Sequence, residues 1–530
     1  MKKIIIQLSL AVFAIGITNF FYAQDTKEIL NWYNGKKPGM ETEKAYKMLK
    51  KKQSTTVVVA VIDSGIDIEH EDLKGKIWVN KDEVAKNGID DDKNGYVDDV
   101  YGWNFLGNSD GTNLNEANLE KTRLLRKYTE KYEKIDPETL SKEEKVEYDE
   151  FLKIKEDVTA ELEMYNSVLA QLDMMPMMIK QIPIMVAAQI GKENYTQKDL
   201  DAWKPEDEQM KQLKRAAEAI LSGELTMEVV DEQKAQVEQI VNFHLNVNFI
   251  DREVIGDNPD DFNDRAYGNP DVEGPDALHG THVGGIIGSV RKNDLGGDGV
   301  AENVQLMSLR AVPNGDEFDK DIALAVRYAV DNGASVINMS FGKSYSPHQK
   351  EVYEAFKYAD SKGVLLVHAA GNDAADVDVN PNFPTSMYSF QTAALTHFLT
   401  IGASTRFSKV QLAAVFSNFG QTKVDVFAPG FEIYNTVPQS SYMKLQGTSM
   451  AAPMVAGVAA MLKSYFPAMT MAEIKDVMLK SSVSYKGKKH MKPGTEDLVD
   501  FASLSVTGAV VNVKNAVKMC KAIEKSKAVK

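Results

Sequence analysis

The feature that most constrains this chain is a set of short, unbroken apolar runs rich in β-branched residues. The first is Thr55-Thr56-Val57-Val58-Val59-Ala60-Val61-Ile62. A strand with one wet face alternates apolar and polar residues, whereas an unbroken run needs cover on both faces, as in parallel sheets. Val304 to Val312, Ser335 to Ser340, Val364 to Ala369 and Phe398 to Gly402 repeat the pattern. Helical spacing fills the gaps. Phe318 to Asn332 places Ile322, Ala325, Val326 and Ala329 on one face and stops at Gly333, and Glu351 to Lys362 stops at Gly363 in the same way. Strands alternating with helices of this length predict an α/β domain with a mostly parallel central sheet.

Residues 109–250 break that rhythm, being rich in Lys, Glu, Met and Gln and poor in Gly. Leu124, Tyr128, Tyr132 and Ile135 form one helical stripe. Ile154, Val158, Leu162, Tyr165, Leu169 and Leu172 form a second, in steps of three or four. The Asp136-Pro137 break between them predicts an antiparallel helical hairpin. The run Asp173-Met174-Met175-Pro176-Met177-Met178 is expected to interrupt the second helix, with more helix following to about Val247. The expected layout is a signal peptide over 1–24, a short extension over 25–54, the two parts of an α/β domain over 55–108 and 251–520, and a helical insertion over 109–250.

The N-terminus carries Lys2-Lys3, an apolar run from Ile4 to about Phe21, and the small-residue exit Tyr22-Ala23-Gln24. That is a secretory signal layout, with cleavage expected near Ala23-Gln24 and a secreted or periplasmic destination. A retained anchor is the alternative, but Gln7, Thr18 and Asn19 interrupt the run. The net charge of −15 argues against nucleic acid or an anionic membrane as partner, since both need clustered cations. The single cysteine, Cys520, makes no internal disulfide and lies far from any lipoprotein anchor position.

Three segments carry reactive residues where predicted strands end or helices begin, the edge at which open parallel sheets bind ligands. Asp63 closes the first strand in Val61-Ile62-Asp63-Ser64-Gly65. His279 opens His279-Gly280-Thr281-His282-Val283-Gly284-Gly285-Ile286-Ile287-Gly288, whose glycines at 284, 285 and 288 leave one helix face bare. Ser449 sits in Gly447-Thr448-Ser449-Met450-Ala451-Ala452-Pro453, at the start of a helix apolar all round and therefore buried. Pro453 is expected to fall in that helix's first turn, where it is tolerated. Taken singly, each residue has an ordinary explanation: a turn aspartate, a core histidine, an N-cap serine.

Together, in the order Asp, His, Ser, the three segments resemble the signature motifs of the subtilisin-like serine proteases (subtilases, peptidase family S8) nearly residue for residue. The resemblance covers about Asn31 to Ser109 and Arg252 to Val517. It implies a three-layer fold and an exported serine endopeptidase acting on polypeptides. Asp63, His279 and Ser449 would form the triad. Asn372, in Ala369-Ala370-Gly371-Asn372, would donate to the oxyanion. Ala370 and Gly371 would line the substrate groove. Ser340-Phe341-Gly342 would pair with extended substrate, although Phe341 equally suits core packing.

Two departures stand out. Asp63 and His279 lie 216 residues apart, far more than the few tens usual in that family. The excess is the helical insertion, read as surface decoration, as a lid or docking surface for a protein partner, or as a folding aid. The second departure is Asn87 to Asp99. Asp90, Asp92 and Asn94 at alternate positions before Gly95 copy the first half of an EF-hand loop, with Tyr96 as a further candidate ligand and Asp99, or its neighbour Asp98, closing the site. Position 12 of that pattern is Tyr101 rather than Glu, so the match is partial. A structural Ca2+ is the expectation and a solvated acidic turn the alternative. Asp257 to Asp264 is a weaker acidic cluster.

Overall fold

The structure is a computed structural model and describes residues 27–265, 267–407 and 409–528. The expected signal peptide lies outside the described residues. The chain forms two compact units, one of Lys121–Phe249 and one of the residues on either side.

The larger unit is built on strands β1 (Val57–Asp63), β2 (Gly102–Asn104), β3 (Val304–Arg310), β4 (Val336–Met339), β5 (Leu365–Ala369), β6 (Phe398–Ser404) and β7 (Val426–Pro429). Hairpin β8 (Ile433–Val437) and β9 (Ser441–Leu445) follows, then β10 (Val483–Ser484), hairpin β11 (Lys489–Met491) and β12 (Leu498–Asp500), and β13 (Ala509–Val510). Nine strands form one sheet in the order β10-β13-β7-β6-β5-β4-β1-β3-β2, parallel except for the short β10–β13 pair. The expected runs are all strands, with ends differing by a residue or two.

Cover on both faces explains the composition of β1. Val57, Val59 and Val61 enter one core, shared with Val283, Ile286 and Met454, while Ala60 and Ile62 enter the other, with Ile322, Val326 and Phe356. Full burial of each large aliphatic side chain is worth about 1.5–3 kcal/mol. After a single helical turn at Lys27–Leu30, the α-helices are α1 (Thr42–Leu49), then α2 to α6 described below, α7 (Leu278–Gly288), α8 (Asp319–Asp331), α9 (Gln349–Ser361), α10 (Thr448–Tyr465), α11 (Met471–Ser481) and α12 (Val513–Ala528). Helices α8 and α9 cover one face; α7, α10, α11 and α12 cover the other, giving three layers. Bare glycines let α7 come close: a Cβ on Gly285 would stand 2.0 Å from Thr436 Oγ1, and one on Gly288 2.7 Å from Val304. At Gly284 a Cβ would meet only ordinary contacts.

The strand order reverses beside β1, which has β3 on one side and β4 on the other. Such a switch point opens a crevice at the C-terminal strand ends. Asp63 ends β1 there, Ser340 follows β4, and Asn372 lies just beyond β5.

The smaller unit contains α2 (Glu120–Tyr132) from its second residue on, α3 (Lys142–Ile190), α4 (Gln197–Ala202), α5 (Glu208–Ser222) and α6 (Met227–Gln239). Lys121–Glu161, Tyr128–Glu150 and Lys131–Glu147 pairs, with Tyr132 stacked on Phe151, make α2 and α3 the expected antiparallel hairpin. Ser141 and Glu144 form a capping box at the start of α3. The expected interruption at Asp173–Met178 does not occur: α3 runs through Pro176 and Pro183 to Gly191. Proline costs about 3 kcal/mol inside a helix, but here the stripe Leu172, Met175, Met178, Ile182 and Val186 is buried in one core with Leu213, Ala217 and Val230. That packing outweighs the local penalty.

In the larger unit the chain's exit and return are stitched together. The N–H of Asn118 donates to Asp251 at 3.0 Å. Arg252 is clamped by Asp257 and Asp321, and buried Lys320 also reaches Asp257 and Asp264. The acidic cluster 257–264 thus carries buried ion pairs.

Candidate active site

Asp63 is buried, and its Oδ1 accepts from His279 Nδ1 at 2.6 Å and from the N–H of Ser64 at 2.8 Å. Those bonds fix the imidazole tautomer so that Nε2 is the free acceptor. The His279 side chain is 36% exposed, so Nε2 is within reach of solvent and ligand. Burial alone disfavours the charged ring, but the Asp63 carboxylate and its hydrogen bond outweigh this, and the His279 pKa stands above its ordinary value. Gly280 lets α7 press on the turn behind Asp63: a Cβ there would stand 2.0 Å from the carbonyl oxygen of Gly65. His282, three residues on, is the core histidine of this motif. Its Nε2 lies 3.0 Å from the Ile433 carbonyl, and burial drives its pKa down to about 3.

Ser449 is the second residue of α10, a helix buried along almost its whole length. Its hydroxyl donates to the carbonyl of Ser340 at 3.1 Å. Pro453 falls beyond the first turn, contrary to expectation, because α10 begins at Thr448. It therefore removes the N–H that would have bonded the Ser449 carbonyl. Ser340 supplies the replacement: its Oγ donates to that carbonyl at 2.8 Å and accepts from Asn338 Nδ2. Ser340 is thus a structural partner of the serine itself.

The Asn372 amide is held by its oxygen. Oδ1 accepts from the N–H of Thr448 at 2.8 Å and from the Thr448 hydroxyl at 3.1 Å, while that hydroxyl accepts from the N–H of Gly371. With Oδ1 committed, Nδ2 is the donor left to face a ligand. A Cβ on Gly447 would lie 3.4 Å from Asn372 Nδ2 and 3.6 Å from the Ser449 nitrogen. The missing side chain leaves a small space flanked by two N–H donors, the requirement for binding an oxyanion.

The other expected groove residues divide. Gly342 is exposed, and its main-chain N–H and C=O have no partner among the described residues. Phe341 is buried in the core, with its carbonyl bonded to His368 Nε2, so its side chain packs rather than lining a groove. Ala370 is fully buried, its carbonyl taken by Asn418 and Asn382 amides. Gly371 turns at φ 100°, and a Cβ there would meet Asn418 Nδ2 at 2.3 Å. These two residues shape the loop that presents Asn372. Asn382 and Asn418 are not legible as site residues in the sequence, because a loop asparagine carries no local signal of what it will hold.

The acidic loop brings Glu83, Asp90 and Asp92 together, with one carboxylate oxygen from each within 4.8 Å of the others. Glu83 is buried. Its Oε1 accepts from the N–H groups of Asp91 and Asp92, and its Oε2 has no partner among the described residues. Three hard oxygen donors, one of them buried and unpaired, fit a divalent cation such as Ca2+. Asn94 spends its amide on Asp92, Asp99 and Tyr96. Asp99 spends both oxygens on Asn80, Asn94 and Tyr328, with its pKa raised to about 6 by burial. The Tyr96 ring packs edge-on against Trp103 and Tyr328. Asp99 and Tyr96 anchor the loop, and Glu83 is the donor the EF-hand pattern did not predict.

Residues 54–509 match the family described as Subtilase family (Peptidase_S8). The chain belongs to the subtilase family. Among curated subtilases it is similar to a thermophilic serine proteinase of Bacillus sp. (strain AK1), at 38% identity over 205 residues, which is 38% of this chain and 46% of that one. It is also similar to thermitase of Thermoactinomyces vulgaris, at 38% identity over 187 residues, 35% of this chain and 61% of that one. Subtilisin-like protease 2 of Plasmodium falciparum matches at 37% over 216 residues, 39% of this chain and 15% of that one. The match therefore spans less than two thirds of each of these relatives.

The Ser340–Ser449 contact in this subtilase makes a direct prediction. Ser340→Ala leaves the part-buried Ser449 carbonyl without that donor and should lower stability by about 1–3 kcal/mol, read as the midpoint of chemical denaturation. Adding Pro453→Ala returns a helix N–H and should recover part of the loss. A Ser340→Ala protein as stable as the parent would show that the carbonyl needs no such partner.

Proposed function

We propose that this subtilase is an exported serine endopeptidase that hydrolyses polypeptides through a Ser449 acyl-enzyme. The observation that carries the reading is the convergence of the Asp63–His279 hydrogen bond, a helix-start serine and two N–H donors on one sheet edge. His279 Nε2 takes the Ser449 proton as the hydroxyl rotates from Ser340, then passes it to the leaving amine. Asp63 holds the tautomer and stabilises the imidazolium. Asn372 Nδ2 and the N–H of Ser449 receive the developing oxyanion. The acyl side of the substrate pairs with the unpaired main chain at Gly342. Export rests on the basic-apolar-small pattern of residues 1–24; among the described residues no helix is long and apolar enough to cross a membrane.

Protein without residues 1–24 should be labelled by a fluorophosphonate probe and should cleave casein. Ser449→Ala and heat-denatured samples should do neither. Absence of labelling in folded protein would sink the reading, and a partner-binding role for a catalytically idle chain would replace it. Asn372→Ala should lower kcat by about 10²–10³, the figure known from subtilisin itself.

The raised His279 pKa sets the acid limb of activity. The reaction needs a neutral imidazole, so kcat/KM should rise with pH and reach half its plateau above the ordinary histidine value of about 6.5. In Asp63→Asn the raising charge is gone, so the limb should move to lower pH while the plateau falls. An unmoved limb would assign it to another group.

Glu83, Asp90 and Asp92 would hold a structural Ca2+, which supplies the positive charge three clustered carboxylates lack. Chelator should lower the melting temperature of the parent, and added Ca2+ should restore it. Glu83→Gln should melt lower and respond to neither. Identical melting of the parent with and without chelator would argue for a solvated acidic turn.

A further inference from the structure

At the C-terminal ends of β6 and β7 lies a cavity that the catalytic roles leave unused. Its volume is about 290 Å3. Phe407, Val415, Phe431, Met491 and Pro493 give it apolar walls, Met491 from the end of β11 and Pro493 from the segment joining β11 to β12. The Phe407 and Phe431 rings stand 6.0 Å apart, and the Arg406 guanidinium backs Phe407 while pairing with Glu432. The walls are therefore braced, yet Phe407 and Val415 remain 39% and 63% exposed. An apolar cavity of about 150 Å3 takes a benzene ring, so this one accommodates any natural apolar side chain.

Two routes tie the cavity to the oxyanion space. Phe431 follows Gly430, whose carbonyl accepts the N–H of Gly447 at 2.8 Å, and Gly447 borders the two oxyanion donors. On the other wall, the Val415 carbonyl accepts the N–H of Gly494 at 2.8 Å. Gly494 lies so close to Ala374 that a Cβ on it would stand 2.8 Å from the alanine methyl. Ala374 is two residues beyond Asn372. One wall thus leads to the nucleophile, and the other follows the oxyanion donor.

Sheet order sets which part of a substrate the cavity meets. Adjacent strands run β7, β6, β5, β4, so the segments at their ends run Phe431, Thr405, Asn372, Ser340. The acyl portion pairs beyond β4. The cavity lies on the far side of Asn372, where the leaving portion must go.

We propose that this cavity binds a large apolar side chain, aromatic or long aliphatic, at one of the first two residues after the scissile bond. The proposal rests on the endopeptidase reading above. It makes the hairpin β11–β12 a specificity element as well as a strut.

The test uses peptide pairs identical except for Phe or Gly at each of those two positions. Burial of the ring predicts a kcat/KM ratio of about tenfold or more in favour of Phe at one position. Val415→Trp, which fills the cavity from its exposed rim, and Phe407→Ala, which removes a wall, should each move that ratio toward one. The ratio is taken within each variant, so any general loss of activity cancels. The same peptides, fluorescently tagged, are titrated into Ser449→Ala protein. A ratio near one in both cleavage and binding, or a ratio that neither variant changes, overturns the subsite. A Phe preference in binding without cleavage by the parent protein supports the subsite and overturns the endopeptidase reading instead.

Discussion

A helix buried on every side can begin only where its unpaired main-chain groups find partners, and α10 meets that demand with residues of the candidate site. The N–H of Thr448 is capped by Asn372 from beyond β5, and the carbonyl of Ser449, left without a helix donor by Pro453, is capped by Ser340 from beyond β4. An unmet buried carbonyl or N–H costs about 1–3 kcal/mol, so these contacts pin three segments distant in sequence to one point. The same contacts orient the Asn372 amide and place the serine. Stability of the helix start and geometry of the site are one set of hydrogen bonds.

Close approach is the second constraint, and glycine grants it. Gly280 brings the histidine helix against the Asp63 turn, and Gly285 brings it against Thr436 of β8. Gly447 leaves open the space between Asn372 Nδ2 and the N–H of Ser449. A methyl group at Gly280 or Gly285 would clash with the neighbouring segment, and one at Gly447 would enter the space beside the candidate site. The chain leaves the larger unit at Glu120 and returns at Ile250. Asn118 bonds Asp251 there, and the buried Arg252–Asp321 pair fastens the return. Breaking such a pair costs several kcal/mol because it strands a buried charge, so the larger unit closes over the gap in its own sequence.

Much of this was legible in the residues. Unbroken apolar strands such as Val57 to Ile62 encode burial on both faces, and their alternation with helices encodes a parallel sheet. The short hairpins β8–β9 and β11–β12 were not legible, because their composition follows neighbours rather than a period. Helix α3 reads as broken at Pro176 because propensity is local, while the packing that carries it through comes from α5 and α6.

Sequence alone picked out the candidate residues Asp63, His279, Ser449 and Asn372, each on a short segment whose composition fixes its local turn or helix. It also determined that a sheet buried on both faces would carry them. Only the tertiary structure decided that Ser340 supports Ser449, that Phe341 and Ala370 pack inward, and that Glu83 joins Asp90 and Asp92. Only the tertiary structure gathered Phe407, Val415, Phe431 and Met491 around one cavity. The reason is physical. A residue's chemistry and its local backbone preference are properties of its neighbours in the chain, but burial, hydrogen-bond partners and cavities are made by segments that meet only when the sheet is assembled.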